Sequence, residues 1–483
     1  VTDFLEKNQD KHYKLLTTPE GFTKIKEAMQ AVDIDMYAEC FILFDECEKL
    51  VQDVHYRDSI REPMNDFFRF RDKALISATP IVPEKDNRFD GFTRVLIQPD
   101  YAYQQKLKLI TTNNVLATLQ EVIEAKRGTV CIFCNSIDSI DSFYRLIPEL
   151  NNACTFCSED GQYKLWKGNR RKKSIMITEL ERYNFFTSRF YSAVDIVCKN
   201  PPHVILISDL YGATQSVIDP ATEAIQIIGR FRGGVNTVTH IASIRPDLEC
   251  MSANEIDSWI EGAASIFNGW KKQLARTSNI GERTLLQEAI GENSYLPYLD
   301  ANGKPDPFLI ANLYEKEQVK RLYTSADLLC NAYQQTDYFA FSHEERLMPV
   351  SDNERMAIQH RLAKKKRAEL IVRKLEEMEK MSRATDKKIQ KRYQRMLMNL
   401  ITSTADRYIY DCFCRFGAKF VREADYNENK LRTALNVSSE HTIKKSGQMR
   451  TYIQRAFPVG AEISVQEAKS MLRQVYKNMG LNT

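Results

Sequence analysis

Cys40-Phe41-Ile42-Leu43-Phe44-Asp45-Glu46-Cys47-Glu48 is the stretch that decides the fold. A short apolar run stops abruptly at two adjacent carboxylates. Ala74-Leu75-Ile76 repeats the pattern and stops at Ser77-Ala78-Thr79-Pro80. Apolar runs this short, closed by polar residues at their carboxyl end, suit buried parallel strands of an α/β sheet. Ligands of such sheets sit just beyond those strand ends. A second cycle follows, with strands expected at Thr129–Cys134, Ser174–Ile177, His203–Ile207 and Thr237–Ile241 and helices at about 139–150 and 222–228. Two adjacent α/β units are the simplest account.

Length and composition set the frame around that core. At roughly 150 residues per domain, 483 residues predict about three domains, and 43% hydrophobic residues are ample for buried cores. No apolar run reaches the roughly 18 residues a transmembrane helix needs, so a membrane protein of that kind is excluded. Eleven thinly spread cysteines argue against a disulfide scaffold and for a reducing cytoplasm. Residues 361–483 hold 27 Lys and Arg against 13 Asp and Glu, and residues 1–360 hold 41 against 51. An acidic body with a basic tail points to a polyanionic partner, nucleic acid before membrane. Beyond about residue 250 the pattern turns helical. We expect a helical accessory region over 251–353, a long basic helix over 354–401 and a small helical or winged-helix-like module over 402–483.

Adjacent carboxylates at a strand end suit nucleotide hydrolysis, since one can hold hydrated Mg²⁺ and the next can polarise the attacking water. Other segments follow in a fixed order: Thr17-Thr18-Pro19-Glu20-Gly21 before the pair, Ser77-Ala78-Thr79 after it, Thr187-Ser188-Arg189 with Ala193-Val194-Asp195, and Gln226-Ile227-Ile228-Gly229-Arg230-Phe231-Arg232. Over residues 10–245 this order resembles the superfamily 2 helicases of the DEAD/DEAH-like type. The resemblance implies two tandem RecA-like domains, 1–115 (N-terminally incomplete) and 116–250, with ATP and Mg²⁺ as cofactors. It implies Asp45 as the Mg²⁺ carboxylate, acting through water, and Glu46 as the water activator. Ser77 and Thr79 would couple hydrolysis to strand movement, and Asp195 would face the nucleotide. Gln226, Arg230 and Arg232 would reach the nucleotide from the second domain. Thr17 and Thr18 would contact the single-stranded backbone, and Thr187 and Ser188 would make further backbone contacts; the partner implied is single-stranded or duplex DNA, with RNA as a second option.

The sequence departs from that pattern at several places. Glu48 stands where Asp or His is commoner, Ala193 where Gly is usual, and Arg232 follows Gly229 by three rather than four residues, which leaves the finger open between Arg230 and Arg232. The phosphate-binding pattern G-x-x-x-x-G-K-[ST] occurs nowhere; Gly303-Lys304 comes nearest, and Pro305 follows it. With the non-Met start at Val1, this leads us to expect the loop upstream of Val1 and weak or no ATPase activity for the chain alone. Two functions stay open: an NTP-dependent nucleic-acid helicase or translocase, and a non-catalytic helicase-like binding or assembly module.

Other signals read as structural. Cys131-x-x-Cys134 and Cys154-x-x-Cys157 could complete a zinc tetrahedron, but Cys131 and Cys134 lie in a strand-like apolar run, and packing is the preferred reading. His203 and His240 are expected to be structural. Tyr408, Tyr410, Phe413, Phe416 and Phe420 fit a helix core better than a base-stacking platform. Lys364-Lys365-Lys366-Arg367 opens a basic stretch whose apolar positions Leu370, Leu375, Met378 and Met381 form one stripe, and we expect its charges to contact nucleic acid. Ser464 and Glu467 match a capping box ahead of a helix with Ala468, Met471, Leu472, Val475 and Tyr476 on one face.

Overall fold

The computed structural model describes the chain except residues 9–11, 169–172, 178, 193, 359–361, 382–392, 396, 399–400, 403, 445–446, 459, 461 and 479–483. Ala193 of the helicase-like pattern lies outside the described residues. The fold is mixed α/β, in two compact units. One comprises Val1–Val115, Glu121–Tyr144 and Glu149–Glu345, and the other Leu116–Gln120, Arg145–Pro148 and Arg346–Thr483.

The first unit holds two sheets. β1 (Phe41–Asp45) and β2 (Asp72–Ile76) pair in parallel, with Asp45 opposite Ile76. The second sheet contains β3 (Gln105–Thr112), β4 (Val130–Phe133), β5 (Cys154–Phe156), β6 (Lys173–Ser174), β7 (Tyr183–Phe186), β8 (His203–Ser208), β9 (Thr237–Ser243) and β10 (Phe339–Arg346). Its order is β10-β3-β9-β8-β4-β7-β5-β6, and β3 through β6 form a run of seven parallel strands. The central strands β4, β7 and β8 are buried nearly end to end, and in β4 and β8 this burial shows in the sequence as apolar runs. The helices Ile137–Leu146 and Glu223–Gly229 supply crossovers that parallel neighbours require.

Three cores organise this unit. The large sheet buries Cys131, Phe133, Phe186, Leu206 and Ile227 together with Val319, Tyr323 and Tyr333 from the helical segment that follows. Around β1 and β2, one core gathers Leu50, Val51, Phe67, Phe308 and Leu309, and another gathers Phe22, Met29, Met36 and Phe70. Ile42 and Phe44 of β1 pack into these cores, while Phe41 and Leu43 on the opposite face are 62% and 52% exposed. Of the region expected as a separate accessory element, 251–353, residues 251–345 belong to the same compact unit as both sheets.

Strands β3, β5, β7 and β10 go beyond the sequence reading. In β3 lysines interrupt the apolar positions (Gln-Lys-Leu-Lys-Leu-Ile-Thr-Thr). β7 carries a buried Asn184, whose amide donates to Glu181 O at 2.7 Å and Val130 O at 3.4 Å. The strand expected at Ser174–Ile177 is only Lys173–Ser174.

The second unit is helical and has its own core of Ile371, Val372, Leu375, Ile409, Cys412, Phe413, Val421 and Leu431. The expected single helix over 354–401 is a correction. A helix Asp352–Met356 is separated by non-helical Leu362–Ala363 from Lys364–Met381, and 382–392 lie outside the described residues. Tyr408 and Phe413 are core residues, and Tyr410, Phe416 and Phe420 pack against that core. The helix Val465–Asn478 begins at the expected box, where Glu467 N donates to Ser464 Oγ at 3.3 Å and Ser464 N to Glu467 Oε2 at 3.1 Å. Among the described residues, no helix is long and apolar enough to cross a membrane.

Candidate active site

β1 ends at Asp45, and the chain then turns through Glu46 with φ 54°, a left-handed conformation that costs a non-glycine residue on the order of 1 kcal/mol or more. The turn is fixed from both sides. Glu46 N donates to Asp45 Oδ1 at 2.9 Å, and Cys47 N donates to Ile76 O of β2 at 3.2 Å. Buried Leu50 and Val51 then anchor the short helix Lys49–Gln52. The three carboxylates end in different surroundings: Asp45 is exposed, Glu46 is half-buried and Glu48 is wholly buried.

The end of β2 contributes the neighbouring wall. Ser77 Oγ accepts from Thr79 N at 2.9 Å. Thr79 is buried, and its Oγ1 accepts from Gln226 Nε2 at 3.0 Å. Gln226 lies on the helix Glu223–Gly229, which the large sheet carries between β8 and β9. The same Nε2 reaches Glu48 Oε1 at 3.3 Å. Gln226 in turn orients Arg230, one helical turn on: its Oε1 accepts from Arg230 Nη2 and its carbonyl from Arg230 Nε, both at 3.1 Å. Arg230 is 8% exposed, and its Nη2 lies 3.9 Å from Glu46 Oε1.

Arg232 goes elsewhere. It lies past the helix end, exposed, and pairs with Asp195 at 3.1 Å. Asp195 is thereby an ion-pair partner of Arg232, and its loop is tied to the arginine segment by Ile196 N donating to Arg230 O at 2.8 Å. Of the two finger candidates, Arg230 is the one beside the acidic turn.

Burial, reinforced by neighbouring Glu46, pushes the Glu48 carboxyl up to about 7, and the Ser77 hydroxyl opposes this. Glu48 therefore stays substantially protonated near neutrality. Burial and the surrounding carboxylates push the Cys47 thiol up to about 12, so it is no nucleophile. Glu46 Oε2 and Glu48 Oε2 are buried without a hydrogen-bond partner among the described residues. Asp45, open to solvent, has the donor chemistry for a hydrated Mg²⁺ ion, and the unpartnered Glu46 oxygen suits a polarised water. The pattern G-x-x-x-x-G-K-[ST] occurs nowhere in these 483 residues.

The remaining expected contacts separate into exposed and engaged groups. Thr17 and Thr18 are exposed beside the short turn Pro19–Gly21, where a Cβ on Gly21 would collide with Thr17 Oγ1. Ser188 is exposed, whereas Thr187 is buried and both its amide (3.1 Å) and its hydroxyl (3.5 Å) donate to Phe156 O. In the second unit Lys364 pairs with Glu428, Lys365 with Asp425 at 2.7 Å and Arg367 with Asp406 at 2.6 Å. Lys366 alone of that run is exposed without an ion pair among the described residues. The run expected to meet nucleic acid is thus largely engaged within its own unit.

His240 is the expected structural histidine. It is fully buried, with Ser208 Oγ 3.0 Å from Nε2 and Tyr333 OH 2.7 Å from Nδ1. Desolvation pushes it down to about 3, so it stays neutral. Cys131, Cys134, Cys154 and Cys157 are all buried free thiols. Sequence reasoning missed Gln52, Thr222 and Glu315, which meet beside the arginine helix: Gln52 Nε2 donates to Thr222 Oγ1 at 3.2 Å and to Glu315 Oε1 at 3.4 Å. No local signal marks them, since 170 and 263 residues separate Gln52 from its partners. Neither a protein-family model nor a curated protein matches the chain.

Proposed function

We propose that the chain forms the hydrolytic crevice of an NTP-dependent helicase or translocase of superfamily 2, acting on DNA ahead of RNA with ATP and Mg²⁺. In this reading the β1–β2 lobe and the eight-stranded lobe are the two RecA-like domains. One observation carries it: Gln226 and Arg230, on a helix of the large sheet, reach Glu48, Thr79 and Glu46 at the carboxyl ends of β1 and β2. A guanidinium facing an acidic strand end across two sheets is the arrangement phosphoryl transfer needs, because it can stabilise charge that develops on a transferring phosphate. Mg²⁺, bound through Asp45, would neutralise phosphate charge. Glu46 would orient water, Glu48 would hold Gln226 in register with Thr79, and Arg230 would be the finger.

A second reading, a non-catalytic binding or assembly module, is favoured by the absent phosphate-loop pattern. One experiment separates them: oligonucleotide-stimulated ATP hydrolysis by the full-length parent protein and by its Glu46→Gln variant, alongside oligonucleotide titration at several salt concentrations. Parent turnover that falls by about 10²-fold or more in Glu46→Gln supports the enzyme. Salt-steep binding without turnover supports the binding module. Turnover unchanged in Glu46→Gln refutes the carboxylate assignment, and absent or salt-independent binding contradicts both readings.

A further inference from the structure

The helix Pro307–Leu322 has its two halves in different cores. At its start Asp306 accepts from Phe308 N at 2.9 Å and Leu309 N at 3.2 Å, and also pairs with Arg61. Phe308 and Leu309 pack with Leu50, Val51 and Phe67 under the acidic turn. One turn on, wholly buried Asn312 donates from Nδ2 to Val51 O at 2.7 Å. Val51 lies in the short helix just after Glu46, so Asn312 satisfies a carbonyl that this helix leaves open.

The far half belongs to the large sheet. Val319 and Tyr323 are buried in its core. Tyr323 OH donates to Ile218 O at 2.6 Å, accepts from Ile218 N at 3.0 Å and lies 3.0 Å from Ser208 Oγ. Ile218 opens the segment leading into the helix of Gln226 and Arg230. Sixteen helical residues make a rod of about 24 Å between these anchors.

Midway along the rod, Glu315 meets Gln52, and the same Gln52 amide reaches Thr222, the residue that starts the arginine helix. Thr222 Oγ1 donates onward to Asp219 Oδ2 at 2.7 Å. A single side-chain amide therefore joins the acidic-turn helix, the rod and the arginine helix.

We propose that Pro307–Leu322 is a brace that sets the spacing between the acidic turn and the arginine helix, with Gln52, Asn312 and Glu315 as its positioning residues. Their importance for turnover rests on the nucleotide reading above; the mechanical role does not. A brace anchored in both cores holds Arg230 within reach of Glu46. Burial pushes the carboxyls of Glu315 and Glu223 up to about 7 and about 8, which lets these acids sit close together near neutrality.

Hydrogen–deuterium exchange on the full chain, without nucleotide, tests this. In Asn312→Ala and Glu315→Ala, amides of 46–53 and 222–230 should exchange roughly tenfold faster, with 204–207 of β8 unchanged as a marker of the intact sheet. Glu315→Gln, which still offers Gln52 an acceptor, should behave like the parent. Unchanged exchange in both segments, or Glu315→Gln as disturbed as Glu315→Ala, overturns the brace. If either alanine variant loses β8 protection, Gln52→Ala decides, because it takes nothing from a core: faster exchange at 222–230 supports the brace and unchanged exchange refutes it. The readout involves no ATP, so failure here is distinct from failure of the hydrolytic reading.

Discussion

β1 and β2 pair in parallel with Phe41 and Leu43 open to solvent, whereas β4 and β8, paired in the same sense, have Val130–Phe133 and Val204–Leu206 wholly buried. All four strands are short apolar runs ending in polar residues, so their sequences look alike. Their surroundings differ because the large sheet has crossover helices and the Val319–Phe339 segment packed on it, while the small sheet has its cores on one face. The division has a consequence for the site. The large sheet gives the helix of Gln226 and Arg230 a rigid base, and the small sheet presents its carboxylates on a strained turn braced from outside.

The largest effect that sharpens this comparison is in the cores. Ile205→Ala, at a wholly buried position of β8, should cost about 2–5 kcal/mol in urea unfolding, whereas Leu43→Ala on the open face of β1 should cost under about 1 kcal/mol. Equal losses would mean that the face of β1 is covered in solution.

Next in size is the pH response of the apposed elements. Glu48, Glu315 and Glu223 have carboxyls raised to about 7, 7 and 8. Each holds its proton in the fold after the unfolded chain has released it, so its contribution is fully present below about pH 4.5 and is lost as pH rises through 7–8. Stability should therefore fall between pH 5 and 8. Glu315→Gln should flatten that fall by on the order of 1–2 kcal/mol, measured as urea midpoints across the range. A stability that rises over this window would show that these carboxyls are not buried together.

Much of this comparison was legible in the sequence, and the remainder has physical causes. β1, β2, β4, β8 and β9 announced themselves because apolar runs bounded by polar residues have few other ways to be buried. β3 and β7 did not, since Lys106, Lys108 and Asn184 break the apolar pattern and find partners only in the folded chain, as Lys108 does with Glu344 and Asn184 with Val130. The choice between Arg230 and Arg232 turns on helical phase: Arg230 lies four residues after Gln226 and shares its face, and Arg232 falls beyond the helix. Glu48 stood out in sequence only as an unusual residue, and its burial against Gln226 is a tertiary fact. In the basic run at 364–367, sequence shows the cations and not Glu428, Asp425 and Asp406, which pair with three of them in the folded chain.

The smallest effect concerns that run. Lys364→Ala and Lys365→Ala, at exposed ion pairs, should each leave the urea midpoint essentially unchanged. Lys366→Ala should leave stability untouched and flatten the salt dependence of oligonucleotide binding by about one unit of slope if this face meets phosphate. No change in slope would place nucleic-acid contact elsewhere.

The convergence of the two sheets on one crevice is tested most directly by a double-mutant cycle in urea unfolding between Glu48→Ala and Gln226→Ala. Side chains in hydrogen-bond contact at 3.3 Å in a buried site should show a coupling energy of about 1 kcal/mol or more. Additivity within about 0.3 kcal/mol would mean that the acidic turn and the arginine helix do not meet, and the proposed site would not exist.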